Sequence, residues 1–222
     1  MEDWFPLFCG AALGLVLWRL LVVYAFTGKP RAPGSRAFKT LVVLGSGGHT
    51  AEMLNVVEML RPERYSPRIY LAAASDNMSL PRARAAEEKS SSAATLDGCL
   101  QGARHYLQIY RSREVGQSYL TSVVTTLMAI AHALWVVFRI RPDVVLCNGP
   151  GTCLPVCVAA FLLKVLGLKW ATLVYVESIA RVQKLSLTGL ILYRLHAMDL
   201  FYVQWPQLKE RFPRSLYVGR LM

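Results

Sequence analysis

Leu41-Val42-Val43-Leu44-Gly45-Ser46-Gly47-Gly48-His49-Thr50 decides how the rest of the 222-residue sequence is read. Four consecutive apolar residues have the signature of a strand buried on both faces, as in a parallel sheet. Three glycines then allow a tight turn, and Ala51, Glu52, Met53, Leu54, Val57 and Leu60 follow at helical spacing. A Gly-rich turn opening a helix points unpaired N–H groups and the positive end of the dipole at one spot, which suits a phosphate. His49 stands at the mouth of that cradle as a candidate for acid–base work.

Downstream, the same alternation repeats. Strand-like runs occur at Arg68 to Ala74, His105 to Tyr110, Pro142 to Cys147, Trp170 to Val176, Asp199 to Val203 and Leu216 to Val218. Helical patterns fall at about Val115 to Arg139, Leu154 to Leu166 and Leu187 to His196. Strands alternating with helices imply βαβ units, hence an α/β, Rossmann-like, doubly wound parallel sheet. The stretch Ser75 to Gly102, rich in Ser, Ala, Arg and Glu without a sustained period, reads as a flexible excursion with room for one short helix. Along Val115 to Arg139, Ser118, Thr121, Ser122, Thr125, Thr126, Ala129 and His132 segregate from Leu120, Val123, Val124, Leu127, Leu134, Val137 and Phe138. That pattern predicts an amphipathic helix laying its apolar face on the sheet, with His132 structural and a surface contact with lipid left open.

Before the first strand, Trp4 to Phe26 is apolar except for Arg19. As a helix it spans about 35 Å, enough to cross a bilayer. Glu2 and Asp3 precede it, whereas Lys29, Arg31, Arg36 and Lys39 follow, so the positive-inside rule places the body in the cytosol. An acidic start without a small-residue cleavage site disfavours a signal peptide. Residues 4–26 are therefore expected to be an anchor, 27–39 a basic juxtamembrane linker, and 40–222 the folded domain.

Lys and Arg outnumber Asp and Glu by 25 to 14, and 54% of residues are hydrophobic. The balance suits an anionic membrane surface or a diphosphate-bearing substrate. Nucleic acid is not expected, since neither zinc-finger spacing nor an aromatic RNA-binding motif occurs. Five cysteines without a CxxC pair fit buried thiols, not a disulfide framework or metal site. No metal or cofactor is expected.

In an open parallel sheet, ligands bind beyond the carboxyl ends of the strands. Gly45 to Thr50, Asn148-Gly149-Pro150-Gly151-Thr152 and Glu177-Ser178 all fall there, with Asp76 at the end of the second strand. No lysine follows the first glycines as a P-loop requires, and Thr50 stands where the dinucleotide fingerprint needs its third glycine.

The motifs Gly45-Ser46-Gly47-Gly48-His49-Thr50, Arg111 to Tyr119, Arg141-Pro142-Asp143-Val144-Val145 with its Asn148-Gly149-Pro150-Gly151 turn, and Tyr175-Val176-Glu177-Ser178 resemble one family. It is the membrane-anchor subunit of the eukaryotic UDP-N-acetylglucosamine transferase that adds the second sugar to dolichol-linked N-acetylglucosamine. The chain is also similar to the N-terminal half of the bacterial transferase that makes lipid II. The likeness runs from the anchor to Tyr217. It implies the N-terminal, acceptor-binding half of a GT-B glycosyltransferase, single-pass in the endoplasmic reticulum membrane and inactive alone. A soluble partner would bind UDP-N-acetylglucosamine, and the end of the chain just past the last strand fits that division. Inverting β-1,4 transfer to dolichyl-diphosphate-N-acetylglucosamine is implied, with His49 or Glu177 as the base. Gly45, Ser46, Gly47, Gly48, Thr50, Asp76, Asn148, Gly149 and Gly151 would hold the acceptor and its phosphates. Glu177 has two other readings, a ligand to sugar hydroxyls or an ion-pair partner of Arg181 or Lys184. The alternative for the whole chain is a scaffold that only recruits the catalytic subunit, and a self-sufficient enzyme is a third reading.

Overall fold

A computed structural model describes residues 4–29, 36–93, 105–110, 119–149 and 151–221. The linker around 30–35, the later part of the predicted excursion, and most of Arg111 to Tyr119 lie outside the described residues. Six parallel strands form one sheet in the order β3-β2-β1-β4-β5-β6. They are β1 (Thr40–Val43), β2 (Arg68–Ala73), β3 (His105–Ile109), β4 (Val144–Cys147), β5 (Thr172–Val176) and β6 (Leu200–Tyr202). This is the doubly wound order, whose direction reverses between β1 and β4 and leaves a crevice there. Leu216 adds only an isolated bridge to Tyr202, so no seventh strand forms at 216–218.

Side chains alternate between the two faces. Val42, Leu44, Tyr70 and Ala72 pack under α2 (Gly48–Glu58) and α3 (Ser79–Ala93). Leu41, Val43, Leu71, Val145 and Leu173 pack under α4 (Tyr119–Ile140), α5 (Cys153–Val165) and α6 (Leu187–Arg194). A short α7 (Pro206–Arg211), not anticipated from the pattern, follows β6 with proline in its first turn. On the α2 side, Val144, Leu146, Val174, Val176, Leu200 and Tyr202 line an open apolar groove of about 560 Å³ that also takes in Val218 and Leu221.

Two expectations change. The stretch read as a flexible excursion holds α3, a 15-residue helix. Its inward row is Leu80, Ala83 and Glu87, and Glu87 is buried. There it accepts from Arg68 at 3.0 Å and from the Tyr70 hydroxyl. A carboxylate in the buried row conceals the apolar period. Burial, and then Glu87, push the Tyr70 hydroxyl well above its ordinary range.

The second change concerns α4, whose buried side matches the amphipathic reading at Leu134 and Val137 but not along the rest of the helix. Ala129, Ala133, Val136 and Val137 are buried, whereas Val123, Val124, Leu127 and Phe138 of the predicted inward face are exposed. α4 packs along α5, and small residues let two helix backbones approach closely.

α1 (Trp4–Phe26) is a continuous helix whose window Leu7–Phe26 is long and apolar enough to cross a membrane. Its last two turns dock on the domain. Arg19 donates from Nε to the Val165 carbonyl at 3.0 Å and from Nη2 to the Lys164 carbonyl at 2.8 Å, capping the end of α5.

Candidate functional site

The three strand-end segments meet at the crevice between β1 and β4. Gly47, at φ +64°, is the N-cap of α2 and supplies no side-chain cap. The first N–H groups of α2 therefore keep their donors for a ligand, with Ser46, Gly47 and Gly48 exposed around them. Beside it, the N-cap of α5, Thr152, makes no side-chain cap hydrogen bond either. Gly151 is exposed at that turn.

Glu52, one turn into α2, holds the site together. Its Oε2 lies 3.2 Å from His49 Nδ1 and accepts from Asn148 Nδ2 at 3.3 Å. Its Oε1 accepts from Ser178 Oγ at 2.8 Å. Asn148 Nδ2 also donates to the His49 carbonyl at 2.8 Å. One carboxylate thus ties the ends of β1, β4 and β5 together. The sequence marks Glu52 only as a residue of the helix, and its position three residues after His49 is the available signal. The His49 side chain is 37% exposed, against 14% for Glu52, so the imidazole faces the crevice over a sheltered carboxylate. The Oδ1 of fully buried Asn148 has no hydrogen-bond partner among the described residues, an acceptor kept at the crevice.

Gly149 makes room for that imidazole. It has φ +61°, and a Cβ there would sit 3.1 Å from His49 Cε1 and 3.4 Å from Nδ1. Gly149→Ala should therefore both strain the turn and displace the ring. The expected outcome is a loss of about 10²-fold in any reaction that uses this crevice, with the fold retained, read by activity beside circular dichroism.

Asp76 and Thr50 belong to a layer below. Asp76 accepts from the N–H groups of Met78 and Ser79 at 3.0 and 3.1 Å, ordering the start of α3. Its other oxygen accepts from Ser79 Oγ at 2.5 Å. The Ser79 and Thr50 hydroxyls both reach the Gly45 carbonyl. This chain locks the glycine turn from beneath, and Asp76 and Thr50 are buried within it.

Glu177 is fully buried. Its Oε2 accepts from Ser186 N at 2.9 Å and Ser186 Oγ at 3.1 Å, and its Oε1 from Ser178 N at 3.1 Å. Its hydrogen-bond partners among the described residues thus lie at the end of β5 and the cap of α6, and Ser178, whose hydroxyl donates to Glu52, links it to the His49 cluster. Burial raises the carboxyl above its ordinary value, opposed by the Ser186 and Ser178 donors. With a raised folded value, the native state binds this proton before the unfolded chain does. That contribution to stability is full below the unfolded value and is lost as pH rises through the folded one. Glu177→Gln should keep the cap of α6 and flatten that dependence above the ordinary glutamate range, read by thermal unfolding against pH.

Among the described residues, no cluster of His, Cys, Asp and Glu is arranged to hold a metal ion.

Comparison with known proteins agrees with this architecture. The crystal structure of Acinetobacter baumannii MurG aligns at a TM-score of 0.54 and 18% identity, over 82% of this chain and 45% of that one. At that identity the likeness is one of fold, a GT-B half. Proteins named UDP-N-acetylglucosamine transferase subunit ALG14 are closer in sequence. The mouse protein is 46% identical over 212 residues, covering 95% of both chains. The rat protein is 49% identical, covering 93% of this chain and 90% of its own. The human one is 44% identical, covering 95% of this chain and 94% of its own. The profile of the family described as "Oligosaccharide biosynthesis protein Alg14 like" matches residues 40–221, from the first residue of β1 past the bridge at Leu216. A parallel sheet with its strand-end turns gathered at one crevice, matched over its whole length, places this chain in the Alg14-like family of oligosaccharide biosynthesis proteins.

Proposed function

We propose that this chain is the membrane-anchored, acceptor-binding subunit of a two-chain inverting glycosyltransferase. It transfers N-acetylglucosamine from UDP-N-acetylglucosamine to dolichyl-diphosphate-N-acetylglucosamine at the cytosolic face of the endoplasmic reticulum. The observation that carries the reading is the Glu52 hub, which gathers His49, Asn148 and Ser178 beside two helix N-termini whose N-caps contribute no side-chain cap. Family membership supports the transferase class, and the names of the relatives support a subunit.

In this mechanism the acceptor diphosphate lies on the N-terminus of α2 and the turn before α5. Each such helix end favours an anion by about 0.3–1 kcal/mol, up to ~2 when partly buried. With Nδ1–H donated to Glu52, His49 keeps its Nε2 lone pair toward the crevice. Nε2 takes the proton of the acceptor 4-hydroxyl as that oxygen attacks the anomeric carbon, and the bond to UDP breaks with inversion. Glu177 acts through position, holding Ser178 and the start of α6, and Asp76 does the same for the glycine turn. α1 supplies the anchor. A soluble partner supplies the UDP-sugar site, and the uncovered groove on the β4–β6 side is an apolar surface open to such a chain.

Equilibrium binding to the detergent-purified chain tests the division of labour. A short-chain polyprenyl-diphosphate-N-acetylglucosamine should bind this chain by itself and be displaced by pyrophosphate, whereas UDP-N-acetylglucosamine should bind only with the partner present. Binding of the nucleotide sugar, and not the acceptor, to this chain alone would overturn the assignment.

A further inference from the structure

The C-terminal end of α1 and the turn after α5 enclose a cavity of about 610 Å³, at the opposite edge of the sheet from the crevice. Arg19, Lys29, Lys164 and Lys169 line it, and no acidic residue is among the described residues that do. Two of these charges are matched from behind. Lys164 is paired with Asp199, and Lys169 with Asp143 at 2.6 Å. The other two are not. Arg19 commits Nε and Nη2 to the Val165 and Lys164 carbonyls, which leaves Nη1 without a hydrogen-bond partner among the described residues. Lys29 has no carboxylate partner among them either, and its ammonium lies 5.8 Å from the centre of the Phe26 ring.

The backbone fixes both cations in place. Gly167, at φ +72°, lets the Arg19 guanidinium lie flat on the turn after α5, where a Cβ would sit 3.2 Å from Nη2. Gly28, at φ +79°, turns the chain at the end of α1, and Lys29 N donates to the Phe26 carbonyl at 3.2 Å. Lys29 is thus folded back over the helix end. Phe26 and Trp170 meet edge to face at 6.3 Å and make an apolar wall beside the charges.

The depth of the cavity follows from the anchor. Residues 4–18 carry no charge, and Arg19 is the first charged residue along α1. In a spanning helix a long cationic side chain carries its charge to the headgroups. The Arg19 wall therefore lies at the headgroup level, with Val22, Phe26 and the half-exposed Leu168 on the side of the acyl chains. A basic pocket at the cytosolic end of a membrane helix suits an anionic lipid headgroup. The guanidinium offers planar donors to phosphate oxygens, and the ammonium a point charge. A free phosphate ion would leave the aromatic wall unused, whereas a lipid uses both halves of the cavity.

Building on the anchored reading proposed above, we infer that this cavity binds one anionic glycerophospholipid of the cytosolic leaflet. Its phosphate lies between Arg19 and Lys29, and its acyl chains run along Val22 and Phe26. The lipid neutralises the two unmatched cations at the joint between anchor and domain. A choline headgroup would bring a third cation to the same place, so phosphatidylcholine is disfavoured.

Native mass spectrometry of the full chain with its partner, released from detergent micelles, tests this. Phosphatidylserine, phosphatidylinositol and phosphatidylcholine are titrated separately. One anionic lipid should be retained per chain, several-fold more readily than phosphatidylcholine. Lys29→Glu, at an exposed position, should weaken that retention by about tenfold or more. Lys29→Arg should preserve it, and so should Lys89→Glu on the exposed side of α3, which makes the same change of charge elsewhere. Equal retention of phosphatidylcholine, or an equal loss in Lys89→Glu, would overturn the inference, because bulk charge would then explain the binding. Displacement of the lipid by inorganic phosphate would overturn it as well, by assigning the cavity to the free ion. Alkaline carbonate extraction separates this inference from the anchor. A chain that stays with the membrane but shows no preference for anionic lipid removes this inference alone. A chain released by carbonate removes the anchor and the inference together.

Discussion

His49→Ala in the complex should lower the transfer rate by about 10²–10⁴-fold, the usual worth of a general base, while association with the partner is unchanged. The imidazole is partly exposed and contributes only its contact with Glu52 to the described structure, so little stability is lost with it. Glu52→Gln separates orientation from chemistry. Gln can keep its oxygen toward Asn148 and His49 and donate its amide to the Ser178 hydroxyl, but it removes the negative charge beside His49. Its expected loss is smaller than that of His49→Ala and falls on kcat more than on KM, which steady-state assays of the co-purified complex can read. A structural role for Glu52 alone would instead appear as reduced recovery of folded protein with kcat intact.

The largest expected effect on stability lies at the opposite end of the sheet. Lys164 and Asp199 form an ion pair whose side chains are 0% and 3% exposed. Asp199 also accepts from Leu173 N at 2.7 Å, joining α5 to the starts of β5 and β6. Asp199→Ala leaves an ammonium in the core without its counter-charge, at a cost of about 3–5 kcal/mol. A domain of ordinary stability has only about 5–15 kcal/mol in total. The variant should therefore accumulate poorly and unfold at much lower denaturant. Lys164→Met/Asp199→Asn should recover most of the loss, because the asparagine still accepts from Leu173 and no charge is buried. Unfolding midpoints of the single and double variants decide the point.

The strands of the sheet were legible because parallel strands buried on both faces read as short apolar runs. Such runs do not depend on which helix covers them. The glycine turns were legible for a related reason: Gly47 and Gly149 occupy positive φ, where other residues are strained. What escaped was decided by partners distant in sequence. α3 was obscured because its buried row includes Glu87, whose burial makes sense only with Arg68 and Tyr70 of β2 in place. The buried side of α4 was only partly read, because hydrophobicity suggests that Leu127 faces inward as Val137 does, whereas Ala129 and Ala133 are the buried residues of that stretch. At the site, the place of Glu177 at a strand end does not reveal its burial. Ser186, nine residues on, returns to bury it. Glu52 gave no signal beyond its spacing from His49, since the bonds that make it a hub come from Asn148 and Ser178.

The central claim is that part of a composite transferase site lies on this chain. It is tested most directly by the rate of N-acetylglucosamine transfer to a polyprenyl-diphosphate-N-acetylglucosamine. The rate is measured with this chain alone, with a soluble partner alone, and with the two mixed, the last also in the His49→Ala form. The account predicts turnover only in the wild-type mixture, with the variant mixture assembled but two or more orders of magnitude slower. A variant mixture as fast as wild type would reduce this chain to an anchor and scaffold, and full turnover by either chain alone would contradict the divided site.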